Sequence, residues 1–212
     1  KGKLASRLFA AFVWISASFR RNRRLYLGRF PVYGQESWWQ NQRRRIPALA
    51  RMAVLYPLYR LAMKKLALVQ QRFGGRLRLA ISGGGTLATY LEEWIDAVGI
   101  RIVNAYGMTE CSPSIAGRGL NCRVYGTVGP PVPLTEIRIA SEEGNILPPG
   151  QEGLIEVRGP QVTRGYYRNE EETARSFTED GFFRTGDLGK MTISGELVIT
   201  GRAKEIIVLA SG

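Results

Sequence analysis

The segment at residues 104–113, NAYGMTECSP, brings three kinds of side-chain chemistry together directly after an apolar run. The ring of Tyr106 could stack on a nucleobase, and the hydroxyl of Thr109 could donate a hydrogen bond to a phosphate. The carboxylate of Glu110 could hold Mg²⁺, which proteins commonly bind through one or two carboxylates. A buried tyrosine followed by a helix-capping Thr-Glu pair would explain the same residues without a ligand, so both interpretations stand at this point.

Three consecutive glycines, Gly83, Gly84 and Gly85, stand between a predicted strand and a predicted helix. Glycine lets a backbone approach a flat or anionic ligand closely, and the N-terminus of the following helix favours negative charge. No lysine follows the glycines, so the turn is not a P-loop of the Walker type. The run matches a loose dinucleotide fingerprint, but Asn104 stands where that fingerprint expects an acid. A tight turn that requires positive φ angles remains the alternative.

The pattern around these residues predicts a strand–helix–strand unit. Residues 76–82 predict a strand, residues 86–99 have an amphipathic helical pattern that ends at a glycine, and residues 100–107 predict a second strand. Such a unit has parallel strands joined by a right-handed crossover. Because ligands bind beyond the carboxyl ends of parallel strands, we expect the glycine turn to lie beside the segment that follows Asn104.

The remaining sequence predicts two regions of different character. Dense apolar and alanine content near the start predicts long helices, the second of which should start or kink at Pro57 and end at Gly74-Gly75. From about residue 121 to 200, glycine and proline separate short alternating runs, which predicts a small antiparallel sheet or distorted barrel. We therefore predict an α/β protein in which part of a parallel-sheet α/β subdomain precedes a small antiparallel β-barrel-like subdomain.

Composition narrows the class of protein further. The 212 residues are 44% hydrophobic and 23% charged, which is typical of a globular protein, and no apolar run is long enough to span a bilayer. Two cysteines and no histidine disfavour a disulfide scaffold or a zinc site and predict a reducing, cytoplasmic environment. The formal net charge is +12, yet residues 1–80 contain a single acid, Glu36. That basic region is compatible with nucleic acid, an anionic membrane, polyanionic ligands or simple solvation.

Six ordered motifs resemble those of the acyl-adenylate-forming (AMP-binding) enzyme superfamily, which includes acyl-CoA synthetases, nonribosomal peptide adenylation domains and luciferases. They are SGGGTL, NAYGMTECSP, GTVGPPVP, GLIEVRGPQVTRGYYRN, GFFRTGDLG and ITGRAKEIIVLASG. The resemblance covers residues from about 75 to 212, and the long apolar-basic helices before them look most like long-chain fatty acyl-CoA synthetases. It implies a two-step reaction. A carboxylate attacks the α-phosphate of Mg²⁺-bound ATP to give an acyl-adenylate and pyrophosphate, and a thiol, usually coenzyme A, then takes the acyl group.

The resemblance also implies roles for the residues that match its motifs. The glycines of the turn resemble the segment that lines one face of the adenine, Asn104 the residue near the adenine amino edge, and Tyr106 the ring stacked on the adenine. Thr109 resembles the phosphate-contacting hydroxyl and Glu110 the magnesium carboxylate, and these two are the expected catalytic residues. The expected ATP- or AMP-binding set is Gly83, Gly84, Gly85, Asn104, Ala105, Tyr106, Gly107, Thr109, Asp187 and Arg202.

Three further assignments follow from the resemblance. Asp187 is expected to hold both ribose hydroxyls, Arg202 to make a second ribose or phosphate contact, and Lys204 to be the hinge toward a C-terminal domain. The domains expected are a partial α/β subdomain with adenine-binding loops at 1–120, a β-barrel-like subdomain at 121–200 and the hinge at 201–212. The family's phosphate loop and C-terminal lysine have no counterpart in this sequence, so we expect the chain to be inactive alone.

The sequence leaves the partners open. A fatty acid or another carboxylic acid would be the acyl donor, and an acyl carrier protein could replace coenzyme A as the acceptor. The basic region allows a peripheral membrane contact. It also leaves room for a nucleic-acid-binding module, although no recognition motif is visible. A non-catalytic scaffold is a further alternative, and the chemically intact Thr109, Glu110, Asp187 and Arg202 disfavour it.

Overall fold

The protein begins with two long helices. The computed structural model describes residues 2–85, 87–119, 122 and 124–203. Helix α1 spans Gly2–Tyr26 and helix α2 spans Trp38–Arg72. A capping box starts α2: the backbone N–H of Trp39 donates to the Ser37 hydroxyl, and the Gln40 side chain accepts from the Ser37 backbone N–H.

Helix α2 corrects one expectation and confirms another. It begins at Trp38 and continues through Pro47 and Pro57, so of the two alternatives predicted for Pro57 the helix start is wrong, and the kink stays a prediction. Each proline removes one backbone donor, but the cap at Ser37 and the packing of α2 along α1 hold the helix together. The predicted end is confirmed, because Gly74 and Gly75 follow the helix with φ angles of 79° and 69°.

A strand–helix–strand unit follows, as predicted. Strand β1 (Ala80–Ser82) pairs in parallel with β2 (Ile102–Gly107), and helix α3 (Thr89–Ala97) connects them. Strand β1 is shorter than expected because the basic residues before it are exposed and join none of the described strands. Strand β3 (Ser114–Gly117) pairs antiparallel with β2, which makes this a mixed three-stranded sheet.

The second sheet is antiparallel, as predicted, but open. Its strands are β4 (Glu136–Ala140), β5 (Gly153–Arg158), β6 (Phe183–Met191) and β7 (Leu197–Arg202), in the order β4-β5-β6-β7. Within the described residues β4 and β7 are the two edges, so the sheet does not close into the barrel-like form expected from its short strands. Helix α4 (Glu170–Ser176) lies between β5 and β6 in the chain.

One buried cluster joins the two sheets. It draws on the segment around β3 and on three strands of the second sheet, and its members are Cys111, Ile115, Ala116, Ile139, Ile155, Val157 and Leu197. Backbone bonds reinforce it, since Val128 donates to Leu197 O (2.8 Å) and Leu197 donates to Gly129 O (2.8 Å). The division at residue 120 stays a prediction, and this core crosses it.

The loop between α1 and α2 reaches the second sheet. The Ile193 backbone N–H, in the turn between β6 and β7, donates to Val32 O at 3.0 Å. The Lys190 ammonium lies 4.6 Å from the centre of the Tyr33 ring. The helical hairpin is therefore tied to the edge of the sheet that carries β6 and β7. No helix in the described part of the chain combines the length and apolar character needed to cross a membrane.

A buried ion pair fixes α3 against the segment after β3. Glu92 is fully buried and the Arg118 side chain is 1% exposed, and their charged groups are in contact. Burial raises the pKa of Glu92, and the Arg118 charge opposes that shift. The Arg118 backbone N–H donates to Asn104 O at 3.1 Å, so the pair also anchors β2.

Removing one partner of this pair should destabilise the fold strongly. Glu92→Ala leaves the Arg118 charge buried without its counter-ion, and we expect it to lower the free energy of unfolding by about 3–5 kcal/mol in urea denaturation. The double variant Glu92→Leu/Arg118→Met should lose less, because no charge remains buried.

Glu136 provides the matched control. It pairs with Arg158 at 2.7 Å, but both side chains are largely exposed. Glu136→Ala should therefore cost less than about 1 kcal/mol. Equal losses for Glu92→Ala and Glu136→Ala would contradict the assignment of a structural role to the buried pair.

Candidate functional site

A cavity of about 460 Å³ opens where the end of β2 faces β6 and β7. Most of the predicted nucleotide-binding residues lie together on its wall. The lining residues are Gly84, Gly85, Ala105, Tyr106, Gly107, Val128, Asp187, Ile199, Gly201 and Arg202. Sequence reasoning missed Val128, Ile199 and Gly201. Ile199 and Gly201 are two residues apart on β7 and therefore share one face of the strand, so the alternation of β7 could have indicated that they line the cavity together.

Three polar side chains meet on the wall of this cavity. The Tyr106 hydroxyl donates to Asp187 Oδ2 at 2.5 Å, and Arg202 Nε donates to Asp187 Oδ1 at 2.9 Å. Asp187 is 6% exposed, whereas the Arg202 side chain is 62% exposed. Burial raises the pKa of Tyr106, and the adjacent Asp187 raises it further. The phenol is therefore a neutral hydrogen-bond donor throughout the physiological range.

The strands explain how these groups meet. Asp187 and Arg202 are opposite each other in the β6–β7 ladder. Tyr106 comes from the other sheet, and the β2–β3 register shifts between Tyr106 and Gly107. A bulge of this kind redirects side chains at the end of a strand.

The glycine turn leaves open space in front of the cavity. A Cβ atom added at Gly84 or Gly85 would meet nothing within 4 Å, and Gly84 has a φ angle of 78° that favours glycine. Gly83 does not line the cavity; a Cβ there would lie 3.6 Å from Ala105 O. The turn therefore both needs a positive φ angle and keeps room for a ligand, so the two interpretations of the sequence are compatible.

At Gly107, backbone crowding excludes any side chain. An added Cβ would lie 1.8 Å from Pro113 O, where the chain folds back against β2. The Met108 backbone N–H donates to that same oxygen at 2.8 Å. The absence of a side chain at Gly107 is thus required by the protein's own backbone.

Asn104 lies beside the cavity rather than on its wall. It is 8% exposed and pairs with Ser82 across the parallel strands. Its side-chain Oδ1 is buried and accepts no hydrogen bond from the described residues. Buried polar atoms are normally satisfied, so the missing partner marks this oxygen as a candidate acceptor, although the cavity does not expose it in the described chain.

Thr109 and Glu110 line a second cavity, also of about 460 Å³, with Ser112, Tyr166 and residues 160–164. The Tyr166 hydroxyl donates to Glu110 Oε1 at 3.0 Å, and the Thr163 backbone N–H donates to Glu110 O at 2.7 Å. The short 3₁₀ helix Thr109–Cys111 has no side-chain cap, so the helix-capping explanation of the Thr-Glu pair fails. The structure places this pair in a different cavity from that of Tyr106.

The predicted magnesium site and the predicted hinge remain to be placed. Among the described residues, no group of three acidic, cysteine or histidine side chains is arranged to hold a metal ion. A cation at Glu110 would therefore need oxygen ligands from elsewhere. Lys204, the predicted hinge, lies outside the described residues.

The chain belongs to the AMP-binding enzyme family, whose model, described as "AMP-binding enzyme", matches residues 45–167. It is similar to the long-chain-fatty-acid–[acyl-carrier-protein] ligase AEE15, chloroplastic, of Arabidopsis thaliana, with 40% identity over 76% of this chain and 24% of the relative. It is also 42% identical to the long-chain-fatty-acid–CoA ligase FadD15 of Mycobacterium tuberculosis, over 72% of this chain and 23% of that protein.

The chain is also similar in fold and sequence to solved structures. The ATP-bound MatB of Rhodopseudomonas palustris is 41% identical over 61% of this chain and 26% of that chain, with a TM-score of 0.58. The long-chain-fatty-acid-CoA ligase FadD1 of Archaeoglobus fulgidus is 30% identical over 60% of this chain and 28% of that chain, with a TM-score of 0.54. The chain thus spans about a quarter of the length of the relatives it matches.

The crowding at Gly107 gives a testable expectation. Gly107→Ala forces a methyl group into the Pro113 carbonyl, and we expect it to lower the free energy of unfolding by about 3 kcal/mol or more, measured by chemical denaturation. Gly117→Ala is the matched control in the paired strand, because a Cβ there meets nothing within 4 Å. If the two variants were equally stable, the turn at Pro113 would have to differ from the one described.

Proposed function

We propose that this chain forms the adenylate-binding part of an ATP-dependent fatty acid–CoA ligase. The observation that carries the proposal is the meeting of Tyr106, Asp187 and Arg202 in one cavity that the open glycine turn also lines. The names of the relatives support the ligase class and the fatty acyl substrate. The activity proposed for the whole enzyme is adenylation of the carboxylate followed by transfer of the acyl group to coenzyme A.

The cavity offers a surface for each part of an adenosine. The Tyr106 ring would stack on the adenine, with Gly84 and Gly85 close to its other face. The Asp187 carboxylate would accept hydrogen bonds from the ribose hydroxyls. Arg202, largely exposed at the rim, would attract the phosphate. The free Oδ1 of Asn104 supports its proposed role as acceptor for the adenine amino group.

Thr109 and Glu110 are proposed to act on the phosphates. The Thr109 hydroxyl would hydrogen-bond a phosphate oxygen and hold it for attack by the fatty acid carboxylate, since in-line positioning is the main requirement of such a step. Glu110 suits Mg²⁺, which typically uses one or two protein carboxylates and completes its shell with water and substrate phosphates. When bound, the ion would neutralise phosphate charge. Tyr166 already orients the Glu110 carboxylate through its hydrogen bond.

The acceptor is the least constrained part of the proposal. Coenzyme A is proposed first, and an acyl carrier protein is the alternative that the AEE15 relative supports by name. We also propose a cytoplasmic location, supported by two free thiols, Cys111 and Cys122. Lys204 remains the proposed hinge, and the domain limits 1–120, 121–200 and 201–212 remain proposals.

A peripheral membrane contact is proposed for the helical hairpin α1–α2. Residues 1–80 contain 18 of the 30 basic residues and one of the 18 acidic residues. Large apolar side chains are exposed along both helices, and these are Leu4, Leu8, Phe9, Trp14, Trp38, Trp39, Ile46, Leu49, Val54, Leu58, Leu61 and Leu68. Basic charge combined with exposed tryptophan and leucine is the composition that binds anionic lipid surfaces.

The adenylate site can be tested by calorimetric titration of the chain with a non-hydrolysable dodecanoyl-adenylate analogue. We expect saturable binding that Asp187→Ala weakens about 100-fold, because two hydrogen bonds to a charged acceptor are lost. Asp180→Ala is the control, since Asp180 is an exposed aspartate that pairs with Arg138 on the second sheet. Binding that is absent, or that both variants leave unchanged, would refute the proposed site.

The membrane contact can be tested by co-sedimentation with phosphatidylglycerol vesicles. Replacing the exposed Arg43, Lys64 and Lys65 with glutamine should weaken binding roughly 100-fold, at about 1 kcal/mol per charge. Trp38→Ala/Trp39→Ala should also weaken it, whereas Trp94→Ala, on α3, should not. Equal binding to neutral phosphatidylcholine vesicles, or tighter binding to a random DNA duplex, would argue against this contact.

A further inference from the structure

We infer that the Tyr106 hydroxyl and the Arg202 guanidinium together orient Asp187 as a receptor for two adjacent hydroxyls, which makes Tyr106 a determinant of ribonucleotide over deoxyribonucleotide binding. The inference rests on the proposed adenylate-binding function and adds to it a second task for Tyr106. The ring offers a stacking surface, and the hydroxyl positions a carboxylate that lies 81 residues away in the chain.

The Asp187 carboxylate keeps two hydrogen-bond acceptor positions that the described residues do not fill. An ionised carboxylate has about four acceptor positions, two on each oxygen. Arg202 Nε occupies one position on Oδ1, and the Tyr106 hydroxyl occupies one on Oδ2. One position therefore remains on each oxygen, and two hydroxyls on neighbouring carbons can fill both.

The Asp187 carboxylate is held in one orientation. Each oxygen is held from a different direction, since Tyr106 comes from β2 in the first sheet and Arg202 from β7 in the second. The Asp187 carboxylate cannot rotate without breaking one of the two bonds. The Asp187 backbone N–H also donates to the Thr185 hydroxyl at 3.1 Å, which limits movement of the residue itself.

The protonation of Tyr106 is consistent with this role. A phenol has a single O–H donor, and burial together with the Asp187 charge raises its pKa, so the proton stays on the oxygen. The donor is committed to Asp187 and is not available to a ligand. Tyr106 itself lines the cavity together with Gly84 and Gly85, so the residue still borders the space for a ligand.

Burial of Asp187 gives the arrangement its selectivity. The side chain is 8% exposed, so water has little access to an acceptor position that a ligand leaves empty. A nucleotide that lacks one ribose hydroxyl would leave such a position unfilled, and sites built to bond a hydroxyl discriminate strongly against analogues without it. We expect a preference of about 10- to 100-fold for the ribonucleotide.

The test compares three forms of the non-hydrolysable dodecanoyl-adenylate analogue by calorimetry, with ribose, 2′-deoxyribose and 3′-deoxyribose. The wild-type chain should prefer the ribose form over both deoxy forms by at least about tenfold. Tyr106→Phe keeps the stacking ring but frees Asp187 to rotate, and the preference should fall to about threefold or less. Tyr33→Phe removes the hydroxyl of a tyrosine that does not line the cavity and should keep the wild-type preference.

Arg202→Lys is the second variant, and it keeps the test valid if Tyr106→Phe folds poorly. The Arg202 side chain is largely exposed, so its replacement does not disturb the core, and it removes the Nε bond to Asp187. It should lower the ribose preference in the same way. Circular dichroism of each variant verifies that it is folded.

The outcomes separate the inference from the proposed function. If the wild type binds the ribose form and Tyr106→Phe retains the full preference, or weakens all three forms by the same factor, the positioning role is wrong and the nucleotide site stands. If the wild type binds none of the three forms, the proposed function fails and the inference fails with it. A preference lost in Tyr106→Phe and kept in Tyr33→Phe supports both.

Discussion

The apolar cluster shared by the two sheets is the constraint on which the rest of the structure depends. Ile115 belongs to the first sheet, and Ile155 and Leu197 belong to the second, and all three are fully buried. Because this cluster sets the distance between the sheets, it also sets the distance between Tyr106 and Asp187. The cavity is the space left where the cluster ends and the glycine turn begins, so the geometry of the site is a consequence of core packing.

Local sequence signals predicted the parts of the fold that depend on neighbouring residues. The strand–helix–strand unit follows from its periodicity, and the end of α2 follows from two glycines that accept positive φ angles. The glycine turn and the segment after Asn104 meet as expected, because parallel strands end at the same edge of a sheet. Asp187 and Arg202 could be proposed from the family motifs that contain them, although no local pattern shows that they face each other.

Features that depend on distant contacts could not be predicted. The pairing of Glu92 with Arg118, and the closeness of Tyr106 to Asp187, have no signature in local composition. Pro57 was expected to start or kink a helix, yet the helix begins twenty residues earlier, at a cap on Ser37, and runs through Pro57. Short strands separated by glycine suit an open sheet as well as a barrel, and only the order of pairing distinguishes them. Gly107 was expected in the nucleotide-binding set and lines the cavity, but the crowding of its Cβ position by Pro113 could not be read from the sequence.

The two halves of the cavity are far apart in the sequence, so the ribosome makes them at different times. A ribosome adds about 5–20 residues per second, so Asp187 is synthesised roughly 4–16 s after Tyr106, from which it is 81 residues distant. During that interval β2 can pair with β1 and β3, but the buried cluster lacks the later strands of the second sheet that close it. Contacts between such distant residues form slowly even in a complete chain. The cavity therefore cannot form until β7 has been synthesised, and until then the apolar residues of the first sheet that belong to the shared cluster stay uncovered by the second sheet.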